Sequence, residues 1–177
     1  ALKMIDQAVE IGADCVKFQM RNMTSVYRKK SLDKQGEDLG TEYVLDLLER
    51  FQLSQDEHKK IAKYCYDNNI LYMCTPWDLN SVGALETLGV LRYKIASADF
   101  DNVPLIESLI QTQKPLIFST GMSSDSEIQK RIDWLNAKQA DFTIMHCNST
   151  YPAPFEDIEL PYILRLKEFT DKIGYSG

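Results

Sequence analysis

The stretch Pro115-Leu116-Ile117-Phe118-Ser119-Thr120-Gly121 is a short apolar run that ends in two hydroxyls and a glycine. The pattern recurs along the chain. Ala13-Asp14-Cys15-Val16 leads into Lys17-Phe18-Gln19, Ile70-Leu71-Tyr72-Met73 into Cys74-Thr75-Pro76, and Arg92-Tyr93 into Lys94-Ile95-Ala96-Ser97. Phe142-Thr143-Ile144-Met145 leads into His146-Cys147-Asn148-Ser149, and Lys172-Ile173-Gly174-Tyr175-Ser176 begins a sixth run. From residue 70 onward the runs start roughly 22 to 30 residues apart, the length of one βα unit with short loops. Runs that are apolar almost throughout fit parallel strands covered on both faces. Strands that alternate with helices and lack hairpin signals predict an α/β fold. Polar groups repeated at strand ends predict a parallel α/β barrel, which builds its catalytic mouth there. An open doubly wound sheet is the competing architecture. No GxGxxG follows any run, which weakens its dinucleotide-binding form.

Helical spacing fills the intervals. Leu2, Ile5, Ala8 and Val9 share one face of a helix over residues 2–11 that stops at Gly12. Ser54-Gln55-Asp56-Glu57 reads as a capping box opening a helix through Asn68, and Ser124-Asp125-Ser126-Glu127 opens the one carrying Ile128, Ile132 and Leu135. Further helices are predicted over 78–88, 103–112 and 160–169. Residues 21–53 are too long for an ordinary βα loop and read as an insertion. Its charged part, Arg28 to Asp38, reads as surface, and Thr41 to Phe51 as a short amphipathic helix on Tyr43, Val44, Leu47, Leu48 and Phe51. Such an excursion either shapes a substrate pocket or is a plain surface insertion.

A chain of 177 residues, 44% of them apolar, suits one domain with a sizeable core. A net charge of −6 argues against a nucleic-acid-coating protein, and Arg28-Lys29-Lys30 reads as a solvated loop. No apolar stretch is long enough to cross a bilayer, so no membrane partner is expected. The helical pattern is already running at Ala1, so nothing follows about a leader ahead of it. Cys15, Cys65, Cys74 and Cys147 are scattered singly and form no CxxC pair. They read as inert, reduced thiols in a cytoplasmic protein.

Lys17 and Lys94 carry the strongest chemical signal, because lysine is rarely buried unless paired or used. With the hydroxyls of Thr75, Ser97, Ser119, Thr120 and Ser176 at the same level, they suit a phosphate or a phosphate-plus-carboxylate ligand. Two alternatives stay open. Each lysine snorkels to solvent, or Lys94 forms a Schiff base with a carbonyl substrate. His146 ends a strand and is expected to be a packed, hydrogen-bonded core histidine, with a base or a metal ligand as the alternative. With His58, placed on a helix surface, as the only other histidine, no two-histidine metal site arises from spacing. Tyr151-Pro152-Ala153-Pro154 forms an extended loop that holds Tyr151 over the mouth or packs it on the loop itself. Glu156 and Asp157 are expected to cap the next helix.

At these residues the chain resembles the sialic acid (N-acetylneuraminate) synthase family, enzymes that condense phosphoenolpyruvate with an N-acetylated aminosugar. The matching stretches are GADCVKFQ (12–19), CTPWD (74–78), YKIASADFDNVPLIE (93–107), KPLIFSTGM (114–122), HCNSTYPAPFEDIEL (146–160) and IGYSG (173–177). The resemblance implies a (β/α)8 TIM barrel of which 1–177 is a partial piece, lacking the first strand and the closing strands. It implies phosphoenolpyruvate binding by Lys17, Thr75, Lys94, Ser97, Ser119 and Ser176. Gln19, Ser149 and Tyr151 would face the aminosugar, with Lys17, Lys94 and Tyr151 as catalytic groups. A divalent metal, manganese or magnesium, would be held in the full-length parent by two histidines beyond Gly177 and by no residue of this chain. A homodimer and a C-terminal antifreeze-like domain outside this chain are also implied. Three functions follow: a nonulosonate synthase, a Schiff-base aldolase using Lys94, or a non-catalytic ligand-binding partial barrel. The piece alone is expected to be inactive.

Overall fold

The computed structural model describes residues 1–27, 48–150 and 152–177. The reading of Arg28 to Asp38 and most of the helix expected over 41–51 lie outside the described residues, although 48–51 are helical. The chain divides into two compact units, Ala1–Val90 and Leu91–Gly177.

The first unit runs α1 (Leu2–Glu10), β1 (Cys15–Met20), α2 (Met23–Val26), α3 (Gln55–Asp67), β2 (Leu71–Pro76) and α4 (Leu79–Thr87). Gly12 takes a φ of +75°, a left-handed turn that a side chain resists, and ends α1 as the sequence predicts. The capping box of α3 is formed: Glu57 N–H donates to Ser54 Oγ at 3.3 Å, and Ser54 N–H donates to Glu57 Oε2 at 2.7 Å. Strands β1 and β2 are parallel, with Lys17 opposite Met73, Phe18 opposite Cys74 and Gln19 opposite Thr75. Alternation along each strand puts Phe18, Tyr72 and Cys74 on one face and Lys17, Gln19 and Thr75 on the other. The first face is packed: the Phe18 ring stacks on Tyr72 at 5.7 Å and meets His58 edge-on at 6.4 Å.

His58 is therefore not on a helix surface. It shares the buried stripe of α3 with Ile61 and Cys65, at 0% exposure, and its Nδ1 hydrogen-bonds the Tyr72 hydroxyl at 2.7 Å. That bond lets an imidazole occupy an apolar position. Burial pushes the Cys65 thiol up to about 11 and the Cys74 thiol up to about 12, so both stay protonated and unreactive at neutral pH, as expected from their settings.

The second unit runs β3 (Tyr93–Ile95), a 3-10 turn (Ser97–Asp99), α5 (Val103–Gln111), β4 (Leu116–Ser119) and α6 (Asp125–Ala137). It continues with β5 (Phe142–Cys147), a 3-10 turn (Phe155–Asp157), α7 (Tyr162–Leu166) and β6 (Ile173–Ser176). Within it β3, β4, β5 and β6 pair in chain order, all parallel. Tyr93, Ile95, Leu116, Phe118 and Ile144 lie on one face and are buried as core. By the same alternation the opposite face carries Lys94, Ser119, Met145, Cys147 and Ser176. Gly174 is opposite Met145, and a Cβ on it would lie 2.5 Å from Met145 Sδ, so the glycine makes room for the thioether.

Two helix expectations change here. α7 is shorter than 160–169, because Pro161 occupies its N-cap position and sets the start. Glu156 and Asp157 do not cap it; they belong to the separate 3-10 turn ahead of Pro161. His146 is half-buried instead of lying in the core, with its ring 5.2 Å from Tyr162 and 5.7 Å from Tyr175.

The buried His58 makes stability depend on pH. Burial holds its pKa below the ordinary 6.5, outweighing the Gln19 backbone and the Glu57 carboxylate, which favour the cation. Between the lowered value and 6.5 the unfolded chain therefore binds more protons, and stability rises with pH. The contribution is complete above 6.5 and is lost as pH falls through the lowered value. Urea midpoints measured at about pH 7.5 and about pH 5.5 should drop on acidification, and His58→Asn should flatten the dependence.

Candidate active site

In the second unit the polar ends of four strands converge. The Lys94 side chain, 7% exposed, does not snorkel: its Nζ donates to the Ile95 carbonyl at 3.0 Å and to Ser119 Oγ. β3 is apolar on its core face, and Lys94 is the one residue of that three-residue strand on the other face, so the fold drives the ammonium inward beside β4. Ser97, on the turn that follows β3, accepts a hydrogen bond from the Gly121 N–H at 3.2 Å and lies 3.5 Å from Cys147 Sγ. Ser119 ends β4, and Ser176 is opposite Cys147 in the β5–β6 register. Thr120 is committed elsewhere, since its N–H and hydroxyl both donate to the Met145 carbonyl, at 3.2 and 3.1 Å.

Gly121 locks this cluster together. A Cβ there would lie 2.5 Å from Ser149 Oγ and 2.8 Å from the Cys147 carbonyl. Only a glycine lets the loop after β4 close on the end of β5, and that closure aims its N–H at Ser97. Gly121 and Cys147 are thus site residues that the strand pattern did not single out. Cys147 reads as a buried hydrophobe from sequence, yet it is half-buried against Ser97. An ammonium, three hydroxyls and a fixed backbone amide form a donor-rich cluster suited to an anion bearing several oxygens.

The first unit carries a second polar cluster. Lys17 and Gln19 are exposed on their face of β1, whereas Thr75, opposite Gln19, is buried. Lys17 thus reaches solvent, unlike Lys94. Gln19 Oε1 accepts from Trp77 Nε1 at 3.1 Å and from Arg21 Nη2 at 2.5 Å, and the Arg21 guanidinium lies over the Trp77 ring at 4.6 Å. The sequence pattern missed Arg21, which follows the strand and sits in no apolar run. Tyr151 lies outside the described residues.

No three His, Cys, Asp or Glu side chains converge on a metal-sized site among the described residues, and His146 turns toward Tyr162, off the face that carries Lys94. Among the described residues none is therefore placed to hold the divalent metal, which the resemblance assigns to histidines outside this chain.

The Gly121 contacts carry a test. Gly121→Ala should destabilise the protein by about 1–3 kcal/mol, the usual cost of overpacking, because one neighbour is backbone that cannot rotate away. Thermal melting checks this, and an unchanged midpoint would show that the β4 loop does not close on β5.

Comparison with known proteins places these features. Residues 4–177 match the model of the NeuB family. The chain is 34% identical over 183 residues to the N,N'-diacetyllegionaminic acid synthase of Campylobacter jejuni, covering 99% of this chain and 55% of that protein. It is 29% identical to the N-acetylneuraminate-9-phosphate synthase of Drosophila melanogaster, covering 100% of this chain and 49% of that protein. Among solved structures, the N-acetylneuraminic acid synthetase of Leptospira borgpetersenii, crystallised with citrate, superposes with a TM-score of 0.84 at 31% identity, over 98% of this chain and 57% of that one. A Thermotoga maritima DAHP synthase shares the fold alone, with a TM-score of 0.67 at 6% identity. The chain spans about half the length of the curated relatives it matches. Its α/β fold is that of a partial TIM-type barrel. The chain belongs to the NeuB family of sialic acid and legionaminic acid synthases.

Proposed function

We propose that the full-length protein carrying this chain condenses phosphoenolpyruvate with an N-acetylated aminosugar and releases phosphate by C–O cleavage. The observation that carries this reading is the buried Lys94 ammonium held against Ser119, beside a Ser97 hydroxyl fixed by the Gly121 amide. Family membership supports it, as do relatives named as synthases of legionaminic, pseudaminic and N-acetylneuraminic-9-phosphate acids. Lys94, Ser97, Ser119 and Ser176 bind phosphoenolpyruvate in the second unit. The resemblance assigns the same ligand to Lys17 and Thr75, and the aminosugar to Gln19, Ser149 and Tyr151.

In the reaction C3 of phosphoenolpyruvate attacks the aldehyde carbon of the open-chain sugar, leaving a cation at C2. Water adds at C2, and the C2–O bond to phosphate breaks to leave a ketone. The lysine and the hydroxyls hold the phosphate in place and stabilise the charge it carries away, an electrostatic contribution that needs no covalent bond to protein. Lys94 already donates to two oxygens, which supports an ion-binding role over a nucleophilic amine. The protein works in the cytoplasm as a homodimer that uses manganese or magnesium, and residues 1–177 alone do not turn over substrate.

Two measurements test this on the full-length protein. Calorimetry should show phosphoenolpyruvate binding that Lys94→Ala weakens by at least about tenfold, the scale of losing one charge-assisted contact. Unchanged affinity would overturn the assignment of Lys94. Borohydride in the presence of a carbonyl substrate should leave the mass of the protein unchanged, whereas an adduct on Lys94 would establish the aldolase instead.

A further inference from the structure

Arg21 poses a question that the phosphoenolpyruvate reading leaves unanswered. Its side chain is only 8% exposed, yet its partners among the described residues are all neutral. Nη2–H goes to the Gln19 amide oxygen, and the guanidinium face lies on the Trp77 ring. Gln52 Nε2 donates to the Arg21 carbonyl at 2.7 Å, which pins the backbone, and no carboxylate bonds the guanidinium among the described residues. A guanidinium taken out of water needs a counter-charge, because burying an unpaired charge is costly. The Asp78 carboxylate at this strand end accepts from Asn22 N–H, Ser81 N–H and Ser81 Oγ at 2.7, 2.9 and 2.7 Å, and its hydrogen bonds go to these groups and not to the guanidinium.

The cation also has room beside it. Arg21 lines a cavity of about 440 Å³ together with Phe18, Gln19, Phe51, Gln52 and Leu53. That volume falls within the range of small-molecule sites. The lining is mostly apolar, and an anion gains most from a guanidinium where water is scarce. Stacking on Trp77 holds the fork rigid, which favours planar, two-point recognition of phosphate oxygens over a looser lysine contact.

We propose that Arg21, stacked on Trp77 and tethered to Gln19, is a specificity-determining residue that binds a phosphate ester on the aminosugar substrate. This rests on the reading that Gln19 faces the aminosugar. It selects, among N-acetylated aminosugars, those that carry a phosphate group. Arg21 touches no reacting carbon in this scheme and acts on affinity.

The test uses the full-length protein and calorimetry with N-acetylmannosamine 6-phosphate and with N-acetylmannosamine, each with phosphoenolpyruvate present. The phosphorylated sugar should bind at least about tenfold more tightly, the scale of one charge-assisted bidentate contact. Arg21→Gln should erase that difference and leave phosphoenolpyruvate affinity within about twofold, as expected when the lost contact belongs to the other ligand. Arg21→Lys should keep part of the preference, and Trp77→Phe, which removes only the indole platform and its N–H, should reduce it; either variant serves if Arg21→Gln fails to fold. Equal affinity of the wild type for both sugars overturns the subsite and leaves Arg21 as a structural residue held by Gln19 and Trp77. A phosphate preference that survives Arg21→Gln and Trp77→Phe also overturns it. Loss of phosphoenolpyruvate binding by the wild type strikes the proposed function instead, and the sugar titrations repeated without phosphoenolpyruvate then decide the subsite by the same criterion.

Discussion

Two-residue alternation along parallel strands is the constraint on which the rest depends. In the second unit it sends Tyr93, Ile95, Leu116, Phe118 and Ile144 into the core. The same alternation leaves Lys94, Ser119, Cys147 and Ser176 together on the opposite face. A slip of one residue would bury the lysine in the apolar layer and expose phenylalanine. Stability and site assembly are therefore one requirement, because the burial that fixes the register also fixes which hydroxyls face each other.

Glycine and buried polar pairs then refine what alternation only sorts. Gly121 permits a close approach that no other residue allows, and its amide orients Ser97. His58 with Tyr72, and Lys94 with Ser119, are polar groups placed inside because each finds a partner there. Arg21 is held differently, by a ring and an amide, with no carboxylate on its guanidinium among the described residues. That imbalance separates a residue that holds the fold from one that awaits a ligand.

Much of this was legible in the residue pattern. Six short apolar runs, two capping boxes and the glycine stop at Gly12 depend on chemistry within a few residues of each other, and all appear in the structure. Lys94 was legible only as a candidate beside Lys17, because a lysine at the end of an apolar run signals a site without saying which lysine is buried. His58 was misread because helix periodicity does not say which stripe is buried when that stripe is only partly apolar. It took Tyr72, fourteen residues along, to make the position habitable. Glu156 and Asp157 were misread because Pro161 starts α7 later than the helical pattern suggested.

The sequence by itself determined the order of strands and helices, the polar character of the strand ends and the family likeness, because each is carried by local spacing and contiguous motifs. Only the tertiary structure decided which of those polar ends meet. Contacts between Lys94 and Ser119, Ser97 and Gly121, Gly121 and Ser149, and Arg21 and Trp77 join residues roughly 24 to 56 positions apart, as set by strand register and loop closure. Such distances along the chain leave no periodic trace, so geometry alone separates a buried, partnered Lys94 from an exposed Lys17.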